Sequence, residues 1–290
     1  MLDREISLKK LWIQRIPKTV LMLAAFSLFS HLIGAAAGNE LLGIKDLIFR
    51  AYDQDLNYSY WYLYAYIAFL IASPMLSTLL RNLKNRELLY MIGVALFFRS
   101  VLPAFEQLRW GGEHHLTAYF SLAWLTADIV LYPTIGYFLH CRMDIRTCGR
   151  ALPFLWLAAA VGIYVSCWLT WQEYQRLWIT HIETYHKLFD GVYAAAIFVT
   201  VRVLYEHVSG ECRLGRLTAV LGSSVLGVYL LHVPVMDHTR LFQDLIWVPM
   251  DALGLPQLIC GMSYVLIMFF ACAVLAWILK KIPGIRWLMS

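Results

Sequence analysis

Gly222-Ser223-Ser224-Val225-Leu226-Gly227-Val228-Tyr229-Leu230-Leu231-His232-Val233-Pro234 is the stretch on which the fold turns. Small residues open it, apolar residues fill it, and a histidine and a proline close it. Such a run reads as a membrane-spanning helix, because lipid offers the backbone no hydrogen-bond partner and the segment must satisfy itself. An ionisable side chain at the centre of such a helix costs about 2.5–3.5 kcal/mol on insertion scales for the charged types, so an embedded histidine normally faces protein or a wet cavity. His232 is therefore the first candidate for chemistry. The competing reading is a residue that simply caps the outer end of its helix. Ser223 and Gly227, four residues apart, offer a small face for close helix contact.

The rest of the chain has the same character. Of 290 residues, 60% are hydrophobic and 15% charged, with a mean hydropathy of +0.61, which excludes an ordinary soluble domain. A span needs about 20 apolar residues, and eight stretches qualify: 18–37, 60–80, 88–105, 116–139, 151–171, 187–207, 217–236 and 257–279. The expected fold class is all-α, a polytopic transmembrane helical bundle of about eight spans that forms one domain over residues 1–290.

The net charge of +5 does not point to nucleic acid, because Lys and Arg alternate between loops. One set of loops holds, among others, Lys9, Lys10, Arg15, Arg81, Arg86, Arg142, Arg146, Arg202, Arg213, Lys280 and Arg286, while the other holds only Lys45, Arg50, Arg109, Arg176, Lys187 and Arg240. The positive-inside rule then places both termini in the cytoplasm. The first apolar run reads as a span rather than a cleavable signal peptide. All six cysteines fall on inner loops or within helices, so neither a disulfide framework nor a metal site is expected.

Several polar residues interrupt the apolar runs. Residues 1–17 read as an amphipathic segment on the membrane surface that breaks at Pro17 before the first span, with Lys10 and Arg15 able to meet anionic groups. His31 lies in the outer half of that span. The loop 38–59 is acidic, with Glu40, Asp46, Asp53 and Asp55, and holds a formal Asn57-Tyr58-Ser59 glycosylation sequon. Trp61 and Tyr64 open the second span in an aromatic cluster, which suits either an interfacial belt or a wall beside a sugar ring. Arg99 stands about 16 Å above Leu88 at the rise of an α-helix. Asp128 lies near mid-membrane and is the natural counter-ion of Arg99 if the two spans are antiparallel neighbours. His114 and His115 read as a solvated loop rather than metal ligands. Asp190 stands near the outer surface.

His31, Arg99, Asp190 and His232 thus share a depth, with Asp128 just below. A histidine base, a cation for an oxyanion and an orienting carboxylate are the parts needed to deprotonate a hydroxyl and hand it an acyl group. They are equally the parts of a proton-coupled transporter.

Four stretches carry a resemblance: Lys9 to Pro17 ahead of a span, Tyr60-Trp61-Tyr62-Leu63-Tyr64, Tyr132 to Leu139, and Leu226-Gly227-Val228-Tyr229-Leu230-Leu231-His232. In order and spacing the chain resembles the membrane acyltransferase-3 family, whose members O-acylate surface polysaccharides and related molecules. The resemblance implies a multi-pass protein of the bacterial inner membrane, with no bound cofactor and with acetyl-CoA or another acyl-CoA as co-substrate. Its partners would be membrane lipid and a glycan or lipid-linked acceptor. Members usually carry two further N-terminal helices with an essential histidine and an arginine pair. The chain therefore reads as N-terminally shortened, and His31 does not inherit that role.

The leading expectation is an O-acyltransferase in which His232, Arg99 and Asp128 line the acyl path. Trp61, Tyr64, Asp190 and Tyr229 would border the acceptor, and Lys10 and Arg15 would favour the anionic donor. The rivals are a transporter or flippase of a small solute or lipid-linked sugar, and a catalytically silent family member.

Overall fold

A computed structural model describes residues 2–36, 38, 42–52, 58–110, 122–177, 182–207, 213–239 and 243–289. Glu40, Asp53, Asp55, Asn57, His114, His115 and Arg240 lie outside them. Among the described residues every regular element is helical and none is a strand.

Among the described residues six helices are long and apolar enough to cross a membrane: Leu8–Ala36, Trp61–Asn82, Asn85–Arg109, Ile145–Arg176, Thr218–Met236 and Gln257–Leu279. They match six of the eight expected spans. The other two take a different form. Expected span 116–139 is described only from Leu122, and there the helix is broken at Ala127 (φ −59°, ψ 134°) between Ala123–Thr126 and Asp128–Tyr137. Expected span 187–207 is the helix Asp190–His207, which carries Asp190, Arg202 and Glu206 within its length.

Prolines shape these helices in a consistent way. The expected break at Pro17 is absent, and the surface segment runs straight into the first span as one helix, Leu8–Ala36. The reason is a π-turn at Leu11–Arg15. Proline lacks an N–H and its ring clashes with the carbonyl four residues back, and widening the preceding turn to i→i−5 bonding relieves both. Pro103 and Pro249 likewise stand two residues beyond π-turns, Phe97–Val101 and Gln243–Trp247.

The contacts divide the chain into two compact units, Met1–Ser7 with Ile71–Ser209, and Leu8–Leu70 with Gly210–Ser290. In the first, Ile145–Leu177 packs against Asp190–His207, and Gly162 meets Phe189 so closely that a Cβ would lie 2.6 Å from Phe189 Cγ. Two arginines close helix ends there. Arg142 donates to the carbonyls of Leu80, Arg81 and Leu83 at 3.1–3.3 Å, the unpaired acceptors at the end of Trp61–Asn82. Arg202 donates to the Leu139 carbonyl.

In the second unit, Arg213–Thr239 packs against Gln257–Leu279 over a core that includes Met22, Phe26, Leu63, Leu230, Leu231 and Met268. Gly227 sets the closeness of that contact, since a Cβ there would come within 2.5 Å of Ala276 Cβ. The small face read from the sequence is thus used, although Ser223 joins it through its carbonyl, which accepts from Lys280 Nζ.

Candidate active site

His232 does not close its helix. Arg213–Thr239 continues through Pro234, which leaves the Leu230 carbonyl without its usual i+4 partner. The hydroxyl of Tyr60 supplies one, donating to Leu230 O at 2.9 Å and to Phe26 O at 3.4 Å. Tyr60 is almost wholly buried, with 1% of its surface exposed. A proline that reads as a terminator in sequence is therefore the socket for an aromatic residue 170 positions away.

That contact holds the short 3₁₀ turn Tyr58–Tyr60 against the His232 helix. Two more contacts complete it. The Tyr229 hydroxyl donates to the Ser59 carbonyl, and Ser59 Oγ lies 3.4 Å from His232 Nε2. The other ring nitrogen, Nδ1, is 2.7 Å from the carbonyl of Tyr229 and 3.3 Å from that of Val228. A carbonyl only accepts, so Nδ1 carries the proton and Nε2 presents its lone pair to the serine hydroxyl. The imidazole is half-buried and its ring is 6.0 Å from that of Tyr229, which packs edge-on to Tyr62 at 5.6 Å.

The remaining expected residues fall as follows. Trp61 is 58% exposed and lies edge-on to Tyr62, while Tyr64 packs half-buried against the core of the second unit. Lys10 and Arg15 are exposed on Leu8–Ala36. The Nε2 of His31 accepts the N–H of Leu42 at 3.1 Å, so it ties down the chain that follows its helix.

In the first unit Arg99 and Asp128 do meet. Arg99 Nε donates to Asp128 Oδ1 at 2.6 Å, and its guanidinium sits 5.2 Å from the ring of Tyr132. Arg99 rides on the π-turn before Pro103, and Asp128 opens its helix, where the positive end of the dipole favours a carboxylate. Asp190 is within electrostatic reach of Arg99 and lies 3.4 Å from His186 Nε2. His232 belongs to the second unit and Arg99 and Asp128 to the first; within its own unit His232 meets Ser59 and Tyr229.

Ser59 escaped the sequence reading, which saw it only as the end of a sequon. The available signal was its place directly before the aromatic run that opens a span.

Among the described residues the fold is that of an all-helical integral membrane protein in which a histidine and a serine hydroxyl meet. A family model described as an acyltransferase domain matches residues 2–281, nearly the whole chain. The chain belongs to that family and is an acyltransferase acting on groups other than amino-acyl groups. No curated protein and no solved structure matches it.

Proposed function

We propose that the protein sits in a bacterial inner membrane and moves an acetyl or similar short acyl group from acyl-CoA to a hydroxyl of a surface glycan or related acceptor. The observation that carries this reading is the 2.7 Å contact between His232 Nδ1 and the Tyr229 carbonyl, an acceptor that assigns the ring proton to Nδ1. With Nδ1–H held by the Tyr229 carbonyl, Nε2 is free to act as general base toward a hydroxyl, the step that every O-acylation requires. The half-buried setting shields the reacting carbonyl from water. Lys10 and Arg15 supply positive charge for an anionic donor, and the exposed indole of Trp61, with Tyr64 behind it, offers a face to a sugar ring.

The test is release of free CoA thiol by the purified full chain in lipid nanodiscs given acetyl-, propionyl- or butanoyl-CoA. It is read beside the ester content of surface polysaccharide in producing cells. His232→Ala is expected to lower both by roughly 100-fold or more at unchanged protein yield. A wild-type chain that releases no thiol and adds no ester defeats the proposal.

A further inference from the structure

Ser59 is held to the His232 helix at three successive points. Its own hydroxyl faces His232 Nε2 at 3.4 Å, its carbonyl accepts from the Tyr229 hydroxyl, and its neighbour Tyr60 donates to the Leu230 carbonyl at 2.9 Å. One of these contacts fixes the backbone of the serine, one its side chain, and the third the side chain of the residue that follows it. The residue is 9% exposed. A chain segment bound this firmly places one hydroxyl at one nitrogen, which is the requirement for a preorganised nucleophile and base. The separation is at the loose end for a hydrogen bond, as such pairs commonly are before substrate draws them together.

We propose that Ser59 is a catalytic nucleophile that carries the acyl group as a seryl ester, so that transfer proceeds in two half-reactions rather than directly from donor to acceptor. This rests on the acyltransferase reading above and adds a covalent intermediate to it. In the first half-reaction Ser59 Oγ attacks the thioester carbonyl while His232 Nε2 takes its proton. A C–O bond forms, the C–S bond breaks, and the proton passes to the departing thiolate to give free CoA. In the second, the acceptor hydroxyl gives its proton to Nε2 and its oxygen attacks the seryl ester. The acceptor ester forms, and Ser59 Oγ leaves and recovers its proton from His232. Each half returns a neutral imidazole, so atoms and charge balance. Burial of Ser59 keeps the waiting ester from water.

Exchange of isotopically labelled CoA into acetyl-CoA, measured on the full chain with no acceptor present, tests the proposal, because only a two-step route exchanges the label. Wild type is expected to exchange, and the Ser59-containing peptide to gain one acetyl group that hydroxylamine removes. Ser59→Ala should lose exchange by roughly 100-fold or more. Its backbone anchors, Tyr229 and Tyr60, bind main-chain and neighbouring atoms that the substitution leaves in place. Ser59→Cys, which keeps a nucleophile, should retain a measurable rate and carry the acetyl group as a thioester. Wild-type exchange in Ser59→Ala overturns the relay. So does a wild type that esterifies surface polysaccharide in cells yet exchanges no label, and in both cases the acyltransferase reading stands. A wild type that neither releases CoA nor adds ester defeats both.

Discussion

The Ser59–His232 contact and the Arg99–Asp128 contact are both polar pairs within membrane-level helices, and they differ in what each leaves over. Arg99 and Asp128 meet at 2.6 Å, a charge-assisted bond in which each partner spends its charge on the other. Ser59 and His232 meet at 3.4 Å without a partner of opposite fixed charge, with the other ring nitrogen held from behind by a carbonyl. The first pair is satisfied. The second keeps an exchangeable proton and a lone pair aimed at it. The proposed reactivity thus goes with the weaker, uncharged contact and not with the ion pair.

The comparison is broken if the two pairs answer alike to substitution. The largest effect is expected at His232→Gln, which keeps a polar side chain of similar reach but no base: turnover should fall by roughly 100-fold or more while the thermal midpoint in detergent stays near wild type. Next comes Asp128→Asn, which should lower stability by about 1–3 kcal/mol before it touches chemistry, because Arg99, with a side chain only 12% exposed, loses its counter-charge. Arg99→Met should cost less, below about 1 kcal/mol, since Asp128 is 56% exposed and water can replace its partner. Thermal unfolding of the two single variants and the double variant decides. Losses that simply add in the double variant would show that the two side chains do not act as a pair, and equal single losses would remove the expected asymmetry between them.

A smaller effect sharpens the other side of the comparison. Tyr60→Phe removes the donor for the Leu230 carbonyl and should cost about 1 kcal/mol. Pro234→Ala restores a backbone N–H to the same carbonyl, so adding it to Tyr60→Phe should recover most of that loss. The double-mutant cycle then shows a coupling of about 1 kcal/mol between residues 60 and 234. Additive losses would mean that the proline and the tyrosine are unrelated.

The sequence carried the apolar runs, and with them the helical class and six of the spans, because lipid imposes a length and a composition that any window reveals. It also carried the Arg99–Asp128 partnership, since a charge at mid-membrane must find its opposite. It did not carry what depends on backbone hydrogen bonding across large separations. Pro17 reads as a break because a π-turn has no compositional signature, and Pro234 reads as an end because its rescuer, Tyr60, is remote in the chain. Arg142 and Arg202 read as inner-face charges and turn out to close helix ends, since a loop arginine looks the same whether it meets headgroups or carbonyls. Ser59 was invisible for the same reason as Tyr60: nothing local marks a serine whose partner is 173 residues away.

The least of the expected effects lies in the first unit at Tyr185, on the short helix Ile182–Lys187 outside the six spans, whose hydroxyl bonds Glu173, itself accepting from Gln107 Nε2 at 2.8 Å. Tyr185 is buried to 2%, and burial first, then the Glu173 carboxylate beside it, pushes its phenol up to about 12 from an ordinary 10. The folded state therefore favours the protonated phenol. Its contribution is fully present below pH 10 and is lost as pH rises through about 12. Tryptophan fluorescence in nanodiscs should show an alkaline loosening in that window, and Tyr185→Phe, which cannot ionise, should lack that step while starting slightly less stable. If the step survives in Tyr185→Phe, the alkaline transition belongs to other groups and the Glu173 network does not set it.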